Sequence, residues 1–182
     1  RPEVLAAMPP FVAGGSMIET VTMERSTFAD PPQRFEAGSP NVLGAVALAA
    51  ACATIREHRV AIEAHEAALT QRLLDGLRAI DGVSTYSLFG EDTERGPVVT
   101  FTVDGLDSQL VAASLSAEHG IGVRAGKFCA HILVDTLLEE GSDEHDTAVR
   151  VSAGLASTAE HVDRLLAAVA TLAVEGPGAE YE

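Results

Sequence analysis

Residues 147–174 read TAVRVSAGLASTAEHVDRLLAAVATLAV, and they hold a strand and a helix in immediate succession. TAVRVSAG (147–154) has the branched, short-period character of a strand. STAEHVDRLLAAVATLAV reads as a helix opened by a capping box, with Ser157 or Thr158 as the cap and acidic residues following. The same succession recurs upstream. GVSTYSLFG and, more clearly, GPVVTFTVDG (96–105) read as strands, and Asp107 to His119 as a helix. IGVRAG is a short strand, and FCAHILVDTLLEE is expected to be helical. VAIEAHEAALTQRLLDGLRAI (60–80) is an amphipathic helix, because Ile62, Leu69, Leu73, Leu77 and Ile80 recur at helical spacings. Strands alternating with helices place the chain in the α/β or α+β class.

The N-terminal stretch is built differently. Residues 1–16 are loop-rich, with Pro9-Pro10 and Gly14-Gly15 as breakers. MIETVTMER (17–25) alternates as a half-buried strand does. The loop ADPPQRFEAGSPN (29–41) ends with Ser39, which fits a helix N-cap, and Pro40, which fits the first helical position. NVLGAVALAAACATIREH then reads as a helix, with Cys52 in its core-facing part. At the other end, EGPGAEYE is expected to be disordered. The acidic run EEGSDEHD (139–146) is a solvated connection, and His145 within it lacks the rigid geometry a metal needs, so no metal site is expected.

Composition narrows the function. The chain has 182 residues, enough for one domain or one domain with part of another. Aromatics are 4% and tryptophan is absent, so the core must come from Ala, Val, Leu and Ile. A net charge of −15 repels phosphate backbones and argues against nucleic-acid binding. No apolar run approaches the ~20 residues that span a bilayer. RPEVLAAMPP lacks the apolar region of a signal peptide, and Cys52 and Cys129 show neither metal-ligand spacing nor a disulfide framework. A reducing cytoplasm is the expected setting.

GIGVRAGKFCAH (120–131) carries the chemistry. Cys129 follows the chain's only lysine, Lys127, by two residues, and Arg124 stands just upstream. Nearby cations favour a thiolate over a thiol, and the thiolate is the nucleophile. A small buried hydrophobe is the ordinary alternative for a free cysteine.

PPFVAGGSMIETV, RFEAGSPN, VRAGKFCAH and TAVRVSAGLASTAEHVDRLL, in that order, resemble the C-terminal part of group II cysteine desulfurases and selenocysteine lyases. These belong to the class V aminotransferase family of pyridoxal 5'-phosphate (PLP) enzymes with fold type I. The resemblance implies that residues 1–55 end the large PLP-binding domain and that 56–182 form a small α+β domain carrying the cysteine loop. It implies that Cys129 attacks the sulfur of a PLP-bound cysteine and that Arg124 and Arg150 bind the substrate carboxylate. Ser39, beside Gly38, would contact the PLP phosphate across a homodimer interface, with Gly14 and Gly15 near the partner's cofactor. A sulfur-acceptor protein or thiol would follow.

The physical reading of these positions is independent. A Ser cap beside glycine offers free N–H groups and a positive helix end, which suits a phosphate; an ordinary cap is the alternative. A guanidinium pairs bidentately with a carboxylate; a surface salt bridge is the alternative. The Schiff-base lysine of the family has no match here, since Lys127 lies in the cysteine loop. The chain is therefore expected to be the C-terminal portion of a complete enzyme. The run CAHIL lacks the proline common soon after the CA pair, Lys127 and Phe128 stand where histidines often precede the cysteine, and VSAGLAS lacks a tyrosine-asparagine pair. These departures bear on the substrate, so a selenocysteine lyase, a C–S lyase and an epimerase remain the alternatives, and the absent lysine adds a non-catalytic dimerisation fragment.

Overall fold

In the computed structural model, which describes residues 1–90, 93–139 and 146–181, the chain divides into two units, Arg1–Glu57 and His58–Glu182. Most of the acidic connection, with His145, lies outside the described residues.

The first unit opens with a helix where a loop was expected, α1 (Pro2–Ala7), with proline at its start as a first turn tolerates. The expected strand 17–25 is a hairpin instead. β1 (Ile18–Val21) pairs antiparallel with β2 (Ser26–Phe28). Thr22 makes the turn, its hydroxyl accepting from the N–H groups of Glu24 and Arg25. This side chain competes with the ladder and ends the strand. A 3₁₀ turn at Gln33–Phe35 leads toward α2 (Val42–Glu57). Arg34 ties the unit together, donating to the carbonyls of Ala29 and Ala6. None of the residues of α2 is buried, so Cys52 is exposed and is no core residue of this chain.

In the second unit α3 (Arg59–Arg78) precedes β3 (Val83–Tyr86) and β4 (Val98–Val103). α4 (Ser108–His119), β5 (Arg124–Gly126), α5 (His131–Glu139), β6 (Ala148–Ser152) and α6 (Ala159–Glu175) follow. The sheet runs β3-β4-β6-β5 with every pairing antiparallel, so this unit is α+β. Strand alternation sorts the side chains. Val99, Phe101 and Val103 of β4 and Val149 and Val151 of β6 bury against Leu69, Leu73, Leu77, Leu115, Leu165 and Leu172 of three helices. Phe101, fully buried, is the largest member of this core, which Leu and Val dominate and in which no isoleucine is fully buried. Phe101→Ala is expected to cost about 3–5 kcal/mol in denaturant unfolding of the full-length protein. Gly76 lies on α3 against α6, where a Cβ would meet the end of the Leu166 side chain. Arg72 clamps the same two helices through a bidentate pair with Asp163, at 2.6 and 2.7 Å.

The box that opens α6 differs in its second member. Thr158 accepts from the His161 N–H, and it is His161 Nδ1, in place of a carboxylate, that accepts from the Thr158 N–H. The tail is docked through residue 181. Glu118 Oε1 accepts from Ser114 Oγ, the Gly178 N–H and the Tyr181 hydroxyl. These donors, Tyr181 first, hold the Glu118 carboxyl below its ordinary value. A lowered folded-state pKa stabilises above the ordinary carboxylate range and loses that contribution as pH falls through the lowered value. The tail is therefore expected to stay docked at neutral pH and to release in acid. Glu118→Ala should release it at neutral pH, raising amide exchange at Gly178 by at least about tenfold.

Candidate functional site

β5 ends at Gly126, whose φ of +103° suits glycine, and the chain then turns sharply. The Ala130 N–H donates to the Lys127 carbonyl at 2.8 Å, closing a turn around Phe128 and Cys129. Both central residues have positive φ, 54° and 60°, the sign of a type I′ turn. Non-glycine side chains resist that conformation by roughly 1–2 kcal/mol each. α5 accordingly begins at His131, and the helix expected from Phe128 onward starts after the cysteine. Nothing local announced this turn, because neither glycine nor asparagine occupies its centre.

The two arginines meet across the sheet. Arg124 on β5 is the direct antiparallel partner of Arg150 on β6. By strand parity both lie on the face opposite the main core, beside a small cluster of Val134, Leu138 and Ala148 with Tyr86 and Phe128 packed on it. Like charges directly opposite each other destabilise a ladder. Among the described residues neither arginine forms an ion pair. Arg150 Nε is buried with no hydrogen-bond partner among the described residues. Its guanidinium stands over the Phe128 ring, 5.2 Å from the centroid. Two adjacent cations and one orphaned donor suit an anion such as a carboxylate.

Cys129 is exposed, contrary to the small-hydrophobe alternative. Arg124 Nη2 donates to its Sγ at 3.4 Å. Lys127 does not share this role as expected. Its Nζ is 2.5 Å from Asp135 Oδ1, and that hydrogen bond, with the charge of Asp135, raises the lysine pKa. The cation that touches the sulfur is Arg124. The sequence alone does not reveal Asp135 or Phe128 as site residues: Asp135 pairs across eight positions, and Phe128 reaches Arg150 from a turn with positive φ.

Ser39 and Gly38 belong to the first unit. The cap of α2 is Asn41, whose Oδ1 accepts from the Gly44 N–H at 2.8 Å, so neither Ser39 nor Pro40 has its expected helical position. Asn41 intercepts because its side chain reaches the third N–H of a helix starting at Val42. Gly38, at φ +85°, donates its N–H to the Gly15 carbonyl at 2.8 Å, which joins the two glycine-bearing loops. Gly14 lies against the same stretch, where a Cβ would come within 3.3 Å of Ala37 Cβ. A cavity of about 380 Å³ is lined by Ser16, Gln33, Glu36, Ala37, Gly38 and Pro40. The Ser39 hydroxyl is exposed and has no protein partner among the described residues. A free hydroxyl just ahead of a 16-residue helix fits a phosphate, whereas the Gly38 N–H is already committed. Among the described residues no cluster of His, Cys, Asp and Glu could hold a metal, and no helix is long and apolar enough to cross a membrane.

Comparison with known proteins identifies the family. The family model for aminotransferase class-V matches residues 1–165. A probable cysteine desulfurase of Halobacterium salinarum is 41% identical over 167 residues, covering 91% of this chain and 38% of that protein. Probable cysteine desulfurase 2 of Mycobacterium leprae is 41% identical over 170 residues, covering 93% and 39%. The apo structure of a cysteine desulfurase from Thermococcus onnurineus superposes with a TM-score of 0.73 at 33% identity, over 95% of this chain and 41% of that one. The chain thus spans about two fifths of the length of these relatives. A cysteine loop beside paired arginines, together with these likenesses, shows that the chain belongs to the aminotransferase class V family as a cysteine desulfurase-like member.

Proposed function

We propose that these residues are the C-terminal portion of a PLP-dependent cysteine desulfurase in which Cys129 is the sulfur-accepting nucleophile. The observation that carries this reading is the Arg124–Arg150 cross-strand pair with Cys129 Sγ 3.4 Å from Arg124. Arg150 and Arg124 take the carboxylate of an amino-acid substrate. Arg124 also favours the thiolate at Cys129. PLP, when bound, supplies an electron sink at the substrate's α-carbon. Ser39 would hold its phosphate, and the Schiff-base lysine comes from the remainder of the protein, since Lys127 is engaged with Asp135.

The sulfur step balances without an outside oxidant. A sulfur–sulfur bond forms between Cys129 Sγ and the substrate sulfur as the substrate's Cβ–S bond breaks. Its electron pair stays with Cβ, which is then protonated. L-cysteine and an enzyme thiol become L-alanine and an enzyme persulfide. The persulfide sulfur passes to an acceptor thiol or protein, in a cytoplasmic homodimer. In this reading residues 1–55 end the large domain and 56–182 form the small one. The apolar faces of α2, with Leu43 85% and Leu48 66% exposed, are supported by the rest of the large domain.

Product analysis tests the reaction class. The full-length, PLP-loaded protein given L-cysteine and a reductant is expected to release L-alanine and sulfide. Pyruvate and ammonia in their place would overturn the reading in favour of a C–S lyase.

A further inference from the structure

The turn 127–130 addresses the two arginines separately. Its two left-handed residues are consecutive, and each engages a different member of the cross-strand pair. Cys129 meets Arg124 through its sulfur, and Phe128 meets Arg150 through its ring. Phe128 is the more costly of the two to hold there, because a bulky side chain at φ +54° is a conformational outlier. A strained residue persists only where its surroundings over-determine it. Here those surroundings are Val134, Leu138 and Ala148, the cluster against which the ring packs on the face of the sheet that carries the arginines.

The ring does something for Arg150 that no polar group does. Arg150 is flanked by Arg124 on β5 and by Thr100 on β4, so no carboxylate stands opposite it in the ladder. Its Nε has no protein partner among the described residues. An anion-binding arginine fixed by a carboxylate would have part of its charge and one edge of its donor fork consumed. An aromatic face holds the guanidinium through its π-system and leaves the in-plane N–H donors for a ligand.

We propose that Phe128 is a positioning residue for the substrate carboxylate: its ring holds the Arg150 guanidinium in place with the donors unspent. This rests on the desulfurase reading for the substrate and its carboxylate, while the anion site itself rests on the two arginines. Phe128 acts on binding and has no contact with the reacting sulfur assigned to it. Its removal therefore acts on affinity more than on turnover.

The test uses the full-length, PLP-loaded protein with Phe128→Leu, which keeps an apolar side chain in the cluster, and Phe128→Tyr, which keeps the aromatic face. Calorimetric Kd for L-alanine is measured alongside kcat and KM for L-cysteine. Phe128→Leu is expected to weaken L-alanine binding and raise KM by about 2- to 30-fold, the range of a cation–π contact, with kcat within about twofold. Phe128→Tyr should restore Kd and KM to within about twofold of the parent. Unchanged Kd and KM in Phe128→Leu would overturn the proposal, as would a loss confined to kcat or a Phe128→Tyr variant as impaired as Phe128→Leu. If the parent protein binds L-alanine but forms none from L-cysteine, the desulfurase reading fails, and the Kd values alone then decide the role of Phe128.

Discussion

Cys129→Ala in the full-length, PLP-loaded protein is expected to lower L-alanine formation from L-cysteine by at least about 10³-fold while leaving PLP bound. The size follows from what the residue does. If the substrate sulfur has one acceptor, removing that acceptor removes the step, and water cannot replace a thiolate as the atom that forms the S–S bond. The substitution takes away one exposed sulfur and its hydrogen bond from Arg124, so folding should be nearly unaffected. It also relieves nothing in the turn, because alanine meets the same penalty at φ +60°. A loss of activity with an unchanged thermal transition therefore reports chemistry. Activity retained within tenfold would move the protein to the branch of the family in which Cys129 is incidental.

The second large effect is at Arg150. Arg150→Ala is expected to lower kcat/KM for L-cysteine by about 10²- to 10⁴-fold, chiefly through KM. Two charge-assisted hydrogen bonds to a carboxylate are each worth about 1.5–3 kcal/mol, and tenfold in affinity corresponds to about 1.4 kcal/mol. Arg150→Lys should recover only part of this, since an ammonium lacks the fork. Arg150→Ala should leave folding stability nearly unchanged, because relief at the ladder offsets the lost contact with the Phe128 ring. Arg150 faces Arg124 directly across the ladder, and removing one of two opposed like charges relieves repulsion. Steady-state kinetics beside a denaturant titration checks both effects at once. An arginine kept only for packing would give the opposite pattern, with stability lost and KM unmoved.

Periodic features were the legible ones. Leu69, Leu73 and Leu77 were placed on one face of a helix from spacing alone, and all three are in the core. VVTFTV is the strand it reads as, with Val99, Phe101 and Val103 in the core. The class followed from these elements, because burying such faces needs helices on a sheet. What was not legible depended on competition between side chains and backbone. Asn41 and Ser39 are both good caps, and only the start of the helix at Val42 decides for Asn41. Thr22 ends a strand that alternation alone would continue. Cys52 reads as core on composition, yet a helix apolar on every side does not say which partner covers it.

The cysteine loop divides in the same way. Arg124, Cys129 and Arg150 were singled out by residue type and by resemblance, and the structure brings all three together through β5–β6 register and one turn. The register is invisible locally, because Arg124 and Arg150 lie on strands joined by a helix and a long connection. Lys127 was assigned to the sulfur by proximity in sequence, but proximity does not weigh the rival carboxylate of Asp135. The Phe128–Cys129 turn is the least legible element, since its residues contradict the backbone they adopt.

The most direct measurement is a peptide mass spectrum across Cys129, taken after the full-length, PLP-loaded protein has met L-cysteine without reductant. The Cys129 peptide is expected to gain one sulfur atom, and a reducing agent should remove it. PLP bound and L-cysteine consumed, with the Cys129 peptide unchanged in mass, would contradict the assignment of Cys129 as the sulfur carrier.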